Sequence, residues 1–303
     1  MRGSHHSAVA TPRSHATAGL RLRILGAGDV ALHPAWCGLI RSVFTRASFD
    51  RWIEWGCWDE GYTAFALFDG DTPVANVSRT RMRLVLDSEE RRGWQLGAVC
   101  TRSEYRGRGL ARHLLDLALA GCGGDPVLLF ANPDVREFYP RFGFAPREEW
   151  IFEAAHAAVP SGPPAPSLDP ADPAVRMRIR QLAADGRPGT TRFGARGHGD
   201  IALWYLANGF VTAPREPQPG TLVFCTQQSE CLRVQEVLSD GDVDLSELIP
   251  SLIDAPVSRL RFDFTPERLW PQARAVAPDL DSDLYVRGFA PRAEHRFPKL
   301  AQT

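Results

Sequence analysis

The chain has 303 residues, 44% of them hydrophobic, with 35 Lys and Arg against 36 Asp and Glu. Such a length suits two folded units, the apolar content excludes wholesale disorder, and the balanced charge gives no support to a nucleic-acid partner. No apolar run approaches the roughly 18–20 residues that span a bilayer, so no membrane partner is expected.

Residues 1–19 are small and polar and lack the apolar centre of a secretory signal. They read as a disordered tail, with a tag-like stretch at Met1 to His6, and His5, His6 and His15 count as part of that tail rather than as metal ligands. Leu20 to Leu25 predicts a first strand. Pro34 to Thr45 predicts a helix with Trp36, Leu39, Ile40, Val43 and Phe44 on one face. Ser48 can cap a second helix reaching Trp55. Tyr62 to Phe68 and Val74 to Leu86 read as strands joined by the turn Asp69-Gly70-Asp71, and Trp94 to Cys100 as a third. Leu110 to Ala120 is helical and ends at Gly121-Cys122-Gly123-Gly124. Val127 to Phe130 is a short, wholly apolar strand of the buried kind. A helix around Val135 to Arg141 and a strand near Glu148 to Glu153 follow.

Residues 159–173 hold six prolines and almost no large apolar side chain, so they form a linker or wrapping segment. Beyond it, helices are expected over Ala174 to Ala184, Ile201 to Asn208 and Leu245 to Ile253. Strands are expected over Thr221 to Thr226, Leu232 to Leu238, Arg259 to Phe264 and Leu284 to Arg287. Gly194 to Gly199 reads as a loop. The division is a tail (1–19), a first domain (20–158), the linker (159–173) and a smaller α/β accessory domain (174–303).

Six cysteines are scattered without a CxxC pair, so zinc-ribbon and thioredoxin chemistry have no support, and no metal is expected. With no export signal they read as reduced thiols of a cytoplasmic protein. Leu25-Gly26-Ala27-Gly28-Asp29 imitates a dinucleotide fingerprint, but Ala31 stands where its third glycine belongs.

The segment Tyr105-Arg106-Gly107-Arg108-Gly109-Leu110-Ala111 follows a strand and opens a helix. Its glycines let the backbone take positive φ and pass close to a ligand. The unpaired amides and positive dipole end of the helix suit a phosphate or pyrophosphate, and Arg106 and Arg108 add charge.

This segment, preceded by Gln95 to Thr101, resembles the core signature of the GNAT superfamily of acyltransferases. Arg106, Gly109 and Ala111 fill the Arg/Gln-x-x-Gly-x-Gly/Ala pattern of its phosphate loop. A second block agrees in order and spacing: Asn132 after a strand, Tyr139 further on, then Gly143-Phe144. The resemblance covers about Leu20 to Glu153. It implies an α/β fold with a mixed, mostly antiparallel sheet, flanked by helices and splayed between its fourth and fifth strands, with coenzyme A in the gap. The backbone of Val99, Cys100 and Thr101 would bond the pantetheine arm. The amides of Arg106, Gly107, Arg108, Gly109, Leu110 and Ala111 would hold the pyrophosphate, and Asn132 would contact the coenzyme arm. Tyr139 would protonate the departing thiolate as an amine attacks the thioester of acetyl-CoA directly. The implied activity is N-acetyl transfer to a primary amine, on a small molecule or on a protein or peptide. A non-catalytic acyl-CoA-binding or regulatory module, O-transfer, and a homodimeric assembly are left open.

The sequence departs from the family where many members place a Glu on the fourth strand as general base. Gln95 is the polar residue here, and Asp59, Glu60 and His113 are alternatives. Cys100 reads as a small apolar strand residue rather than a nucleophile. The family walls its acceptor with the first two helices, so Trp52 and Trp55 with their neighbouring acids draw interest, although core packing suffices to explain them. Arg261 to Pro266 and Phe297 to Thr303 are distinctive, the latter as a tail that docks back. The accessory domain is expected to shape the acceptor pocket or an oligomer contact.

Overall fold

The computed structural model describes residues 17–292 and 294–303, so the first sixteen residues, with His5, His6 and His15, lie outside the described residues. In chain order the first stretch forms β1 (Arg21–Leu25), α1 (His33–Val43), α2 (Asp50–Glu54), β2 (Tyr62–Asp69), β3 (Thr72–Leu86), β4 (Glu89–Thr101), α3 (Leu110–Ala120), β5 (Val127–Phe130), β6 (Ala145–Arg147) and β7 (Trp150–Ala158). The second forms α4 (Pro173–Asp185), β8 (Phe193–Arg196), α5 (Gly199–Ala207), β9 (Arg215–Gln218), β10 (Thr221–Gln228), β11 (Cys231–Ser239), α6 (Leu245–Leu252), β12 (Val257–Phe262), β13 (Arg274–Pro278) and β14 (Leu284–Arg287).

These make a mixed α/β fold with two sheets. One runs β1-β2-β3-β4-β5-β14-β6, with β8 also on β3, and the other runs β13-β7-β12-β11-β10-β9. Among the described residues, only β4 with β5 and β11 with β12 are parallel. The sheets exchange chain segments. β7 pairs with β12 and β13, whereas β8 and β14 complete the first sheet. The Pro-rich segment lies along the second sheet's side, with Ala165 N–H donating to Ser251 O and Leu168 N–H to Pro214 O.

The packing follows the apolar spacing. α1 starts with Pro34 in its first turn, where a missing N–H costs nothing, and buries Trp36, Leu39 and Ile40. α3 buries Leu110, Leu114, Leu115, Ala118 and Leu119, one face of a 3.6-residue period. β3 and β4 form a long hairpin around Asp87 (φ 50°) and Ser88 (φ 70°), the two positive-φ residues of a tight hairpin turn.

Three local expectations are corrected. The glycine-rich stretch read as a loop contains β8, because Phe193 to Arg196 pair with Leu86 to Arg83 and extend the hairpin. The helix placed around Val135 to Arg141 is instead two 3-10 turns, Pro133–Val135 and Tyr139–Phe142. Pro140 lacks the N–H that a continuous α-helix would use. The strand placed at Glu148 to Glu153 is β7, which starts at Trp150 and belongs to the second sheet.

Candidate active site

β4 and β5 pair over only three residues, Trp94 with Val127, Gln95 with Leu128 and Leu96 with Leu129. Beyond Leu96, β4 runs on to Thr101 while β5 ends at Phe130, so the sheet opens from Gly97 onward. A bulge accompanies the opening. Ser78 pairs with Gly97 and Asn76 with Cys100, which leaves Ala98 and Val99 opposite Val77 alone. Ala98 takes φ 47°, unusual for a non-glycine, and its carbonyl accepts from Asn76 Nδ2 at 2.8 Å. Such a bulge re-aims the strand and frees backbone groups on its open edge.

The opening holds a cleft of about 520 Å³. Val99, Cys100 and Thr101 line it from β4, Arg106 and Ala111 from the phosphate-loop segment, and Asn132 and Tyr139 from the chain after β5. Seven of the residues predicted from sequence thus share one wall. Gly107, Arg108, Gly109 and Leu110 do not line the cleft. They form the turn beside it, between Arg106 and Ala111. Gly107 and Gly109 both have φ 77°, and a Cβ on either would meet nothing within 4 Å. Gly109 is the residue before α3, whose first-turn amides have no partner within the helix. Arg106 Nε donates to Thr101 O at 3.2 Å, so it ties the loop to β4. Arg108 turns away, donating to Glu104 O at 3.1 Å over the Tyr105 ring. Leu110 sends its side chain into the core. The open left-handed turn, the free helix end and the unpaired β4 edge fit a phosphorylated, elongated co-substrate such as acetyl-CoA.

Asn132 accepts from Asp134 N–H at 3.2 Å, which closes the turn after β5. Tyr139 packs among Phe138, Phe144 and Tyr285 with ring centroids 5.3, 6.2 and 5.8 Å away. Burial, with Tyr285 adding to it, pushes its phenol up to about 12, so it stays protonated at neutral pH. Burial pushes the Cys100 thiol to about 12 as well, which disfavours a thiolate nucleophile.

Gln95 is fully buried and both ends of its amide are occupied. Nε2 donates to Ala301 O at 2.8 Å, and Oε1 accepts from Thr303 N–H at 2.8 Å. It therefore clamps the segment His295 to Thr303 to the splay, a role invisible in sequence. That segment is buried along much of its length, with Phe297, Leu300 and Ala301 fully covered. Glu149 accepts from Phe297 N–H, and Asp263, within the distinctive Arg261 to Pro266 stretch, accepts from Lys299 N–H through its carbonyl. Of the other candidate bases, Glu60 is an exposed partner of Arg81 at 3.1 Å, and His113 does not line the cleft.

A second, smaller cavity of about 60 Å³ adjoins the cleft and shares Phe49, Gly97, Ala98, Trp204 and Thr303 with it. Trp52, Tyr62, Thr80, Asp59 and Asp200 also line it. Trp52 is buried, and its Nε1 donates to Asp200 O at 2.7 Å, joining α2 to α5. Trp55 faces elsewhere, under Arg51 and Arg176. Trp204 and Asp200 had no distinguishing sequence signal, since nothing in α5 marks which face meets the first sheet. A larger groove of about 910 Å³ lies on the second sheet, between Glu153 and Arg259, away from this constellation.

Residues 32–147 match the family model described as an acetyltransferase (GNAT) domain. No curated protein matches the sequence. Among solved structures, the chain is similar to Eis1 from Mycobacterium abscessus, at 14% identity over 88% of this chain and 73% of that one, TM-score 0.53. It is similar to a GCN5-related N-acetyltransferase from Anabaena variabilis, at 12% identity over 88% and 72%, TM-score 0.53. A probable N-acyltransferase from Enterococcus faecalis gives 13% identity over 88% and 72%, TM-score 0.51. At such identities the structural likeness is one of fold. The splay and its phosphate-loop segment thus lie within the stretch, residues 32–147, that matches the acetyltransferase (GNAT) domain.

Proposed function

We propose that the chain is an N-acetyltransferase that moves an acetyl group from acetyl-CoA to a primary amine. The observation that carries this reading is the cleft at the β4–β5 splay, where the open strand edge, the phosphate-loop segment, Asn132 and Tyr139 meet. The turn at Arg106 to Ala111 binds the pyrophosphate, and the free edge of Val99 to Thr101 binds the pantetheine arm. An amine attacks the thioester carbonyl, whose developing negative charge is met by backbone donors near Val99. The C–N bond forms, the C–S bond breaks, and Tyr139 gives its proton to the sulfur. The amine's own proton leaves as the amide forms and restores the phenol's. Gln95 is fully engaged and accepts no proton at neutral pH, so the amine reacts in its neutral form. The apolar walls beside the splay favour that form by desolvation.

The test is release of free thiol from acetyl-CoA with a panel of primary amines. Amine-dependent release, with the acetylated product seen by mass spectrometry, is expected. Tight acetyl-CoA binding without release for any amine would make the chain a coenzyme-binding module instead.

A further inference from the structure

The small cavity beside the cleft has a construction of its own. Phe49 forms one side, with Trp52, Trp204 and Tyr62 at ring-centroid distances of 5.4, 5.8 and 6.0 Å. Trp52 and Tyr62 are 5.2 Å apart. The enclosed space is about 60 Å³, a narrow neck. One end meets the coenzyme cleft at Gly97, Ala98 and Thr303. The other end shares Asp59, Thr80, Asp200 and Ile201 with an open groove of about 570 Å³, rimmed by Arg81, Arg83 and Arg196. Cleft, neck and groove therefore follow one another.

Polar atoms in this apolar neck are left unpaired. Among the described residues, Tyr62 Oη, Thr80 Oγ1, Trp204 Nε1 and Thr303 Oγ1 are buried without a hydrogen-bond partner, and all four residues line the neck. A buried, unmade hydrogen bond is costly, and four around one small cavity mark a place where a polar ligand atom fits. Of its two carboxylates, Asp200 is paired, with Arg180 Nε donating to its Oδ1 at 2.6 Å, and Asp59 stands at the groove end, where its Oδ1 accepts from Gly61 N–H at 2.8 Å, so the aromatic stretch between carries no charge. It is therefore suited to a neutral amine rather than to a strongly cationic or heavily hydroxylated ligand.

We propose that the neck is a selectivity filter for the acceptor, admitting a primary amine at the end of a narrow, unbranched apolar arm, with Trp204 as the specificity-determining residue. The inference rests on the acyl-transfer reading above and adds the class of amine. The acceptor enters from the groove, amine first. Its nitrogen reaches Thr303 and the splay, its arm lies between Phe49, Trp52, Tyr62 and Trp204, and whatever follows the arm remains in the groove. Branched or polyhydroxylated amines such as an aminosugar do not pass.

The same arm chemistry occurs in free alkyl- and arylalkylamines and in a lysine side chain, so hexylamine, 2-phenylethylamine, a capped lysine amide and glucosamine are compared. Two readouts are used, thiol release and quenching of tryptophan fluorescence on amine binding. Narrow-armed amines are expected to exceed glucosamine in kcat/KM by at least about tenfold, as one well-made or missing buried hydrogen bond is worth. The lysine amide matching the free amines would place a peptide in the groove, and its failure would restrict the site to small molecules. Trp204→Ala is expected to relax the preference by widening the neck. Thr80→Val replaces an unpaired hydroxyl with a methyl, so folding should be unharmed while amine binding weakens about five- to tenfold. Equal or better use of glucosamine would overturn the filter and leave acyl transfer standing. Amine binding in the neck without thiol release would sink the catalytic reading alone. A Thr80→Val variant that binds every amine as before would also overturn the filter.

Discussion

At the scale of single residues, Tyr139 is the side chain on which the proposed chemistry depends. Its ring is packed on three sides and lines the cleft at the splay, where we propose that its hydroxyl acts as the acid. Tyr139→Phe keeps the packing and removes the proton. General acid catalysis contributes about a hundred- to ten-thousand-fold, and water can substitute in part, so kcat should fall at least about tenfold with acetyl-CoA affinity little changed. A full-speed variant would make the hydroxyl structural. The pH dependence has a definite sign. Burial lifts the phenol from its ordinary value to about 12, so the proton stays available as pH rises through the usual tyrosine range. The kcat profile should show no falling limb owed to Tyr139 below about pH 10. A limb near pH 8 that disappears in Tyr139→Phe would contradict this. That Tyr139, Asn132 and Arg106 line one cleft was legible in sequence, because their spacing between recognisable elements is a local property. Gln95 was legible as the place where a base was missing. Its real partners lie more than 200 positions away, and no pattern in one strand announces them.

At the scale of elements, the segment His295 to Thr303 decides the shape of the site. It is held by the Gln95 clamp and by buried contacts of Phe297 with Phe130 and Phe193, at 6.2 and 4.7 Å. Gly97 has no side chain because Thr303 occupies the space. An added Cβ would stand 2.7 Å from Thr303 Oγ1. Gln95→Ala leaves Ala301 O and Thr303 N–H without buried partners, at about 1–3 kcal/mol each. We expect a lower Tm together with a loss of acyl transfer greater than the loss of acetyl-CoA affinity. Gly97→Ala should reproduce the catalytic loss by displacing Thr303. Wild-type kinetics in both variants would show the segment to be a passive cover. Helices and long strands were readable from their periodicity, α3 and β5 to the residue. Four of the short strands were not. β6, β8, β9 and β13 have three to five residues each and lack the run of large apolar side chains that marks β5, and β8 is built from Phe-Gly-Ala-Arg and held by the β3 edge. The bulge at Ala98 was equally hidden, since alanine gives no hint of positive φ.

At the scale of the whole molecule, the two sheets are bound by exchanged strands. The Pro-rich segment divides the sequence, but β8 and β14 return to the first sheet and β7 leaves for the second. Composition can reveal a linker but not which sheet a strand joins. Neither sheet can be completed without the other's stretch of chain. Denaturant unfolding should therefore be one cooperative transition, with far-ultraviolet circular dichroism and tryptophan fluorescence sharing a midpoint. Two separated transitions would contradict the coupling. The same architecture brings Trp204 and Thr303 to the splay and Asp200 to the cavity beside it, so the site is assembled from both halves of the chain.

The central claim, that the splay and the turn at Arg106 to Ala111 form a coenzyme site, is tested most directly by calorimetric titration with acetyl-CoA. The wild type should bind one molecule per chain. Gly109 sits at φ 77° with open space before it, at the proposed pyrophosphate site. Gly109→Glu puts a side chain and a negative charge there, while Gly109→Ala carries the same backbone strain without the charge. Gly109→Glu, folded by circular dichroism, is expected to lose binding almost entirely, and Gly109→Ala to retain most of it. Unchanged affinity in folded Gly109→Glu, or two equivalent sites in the wild type, would contradict it.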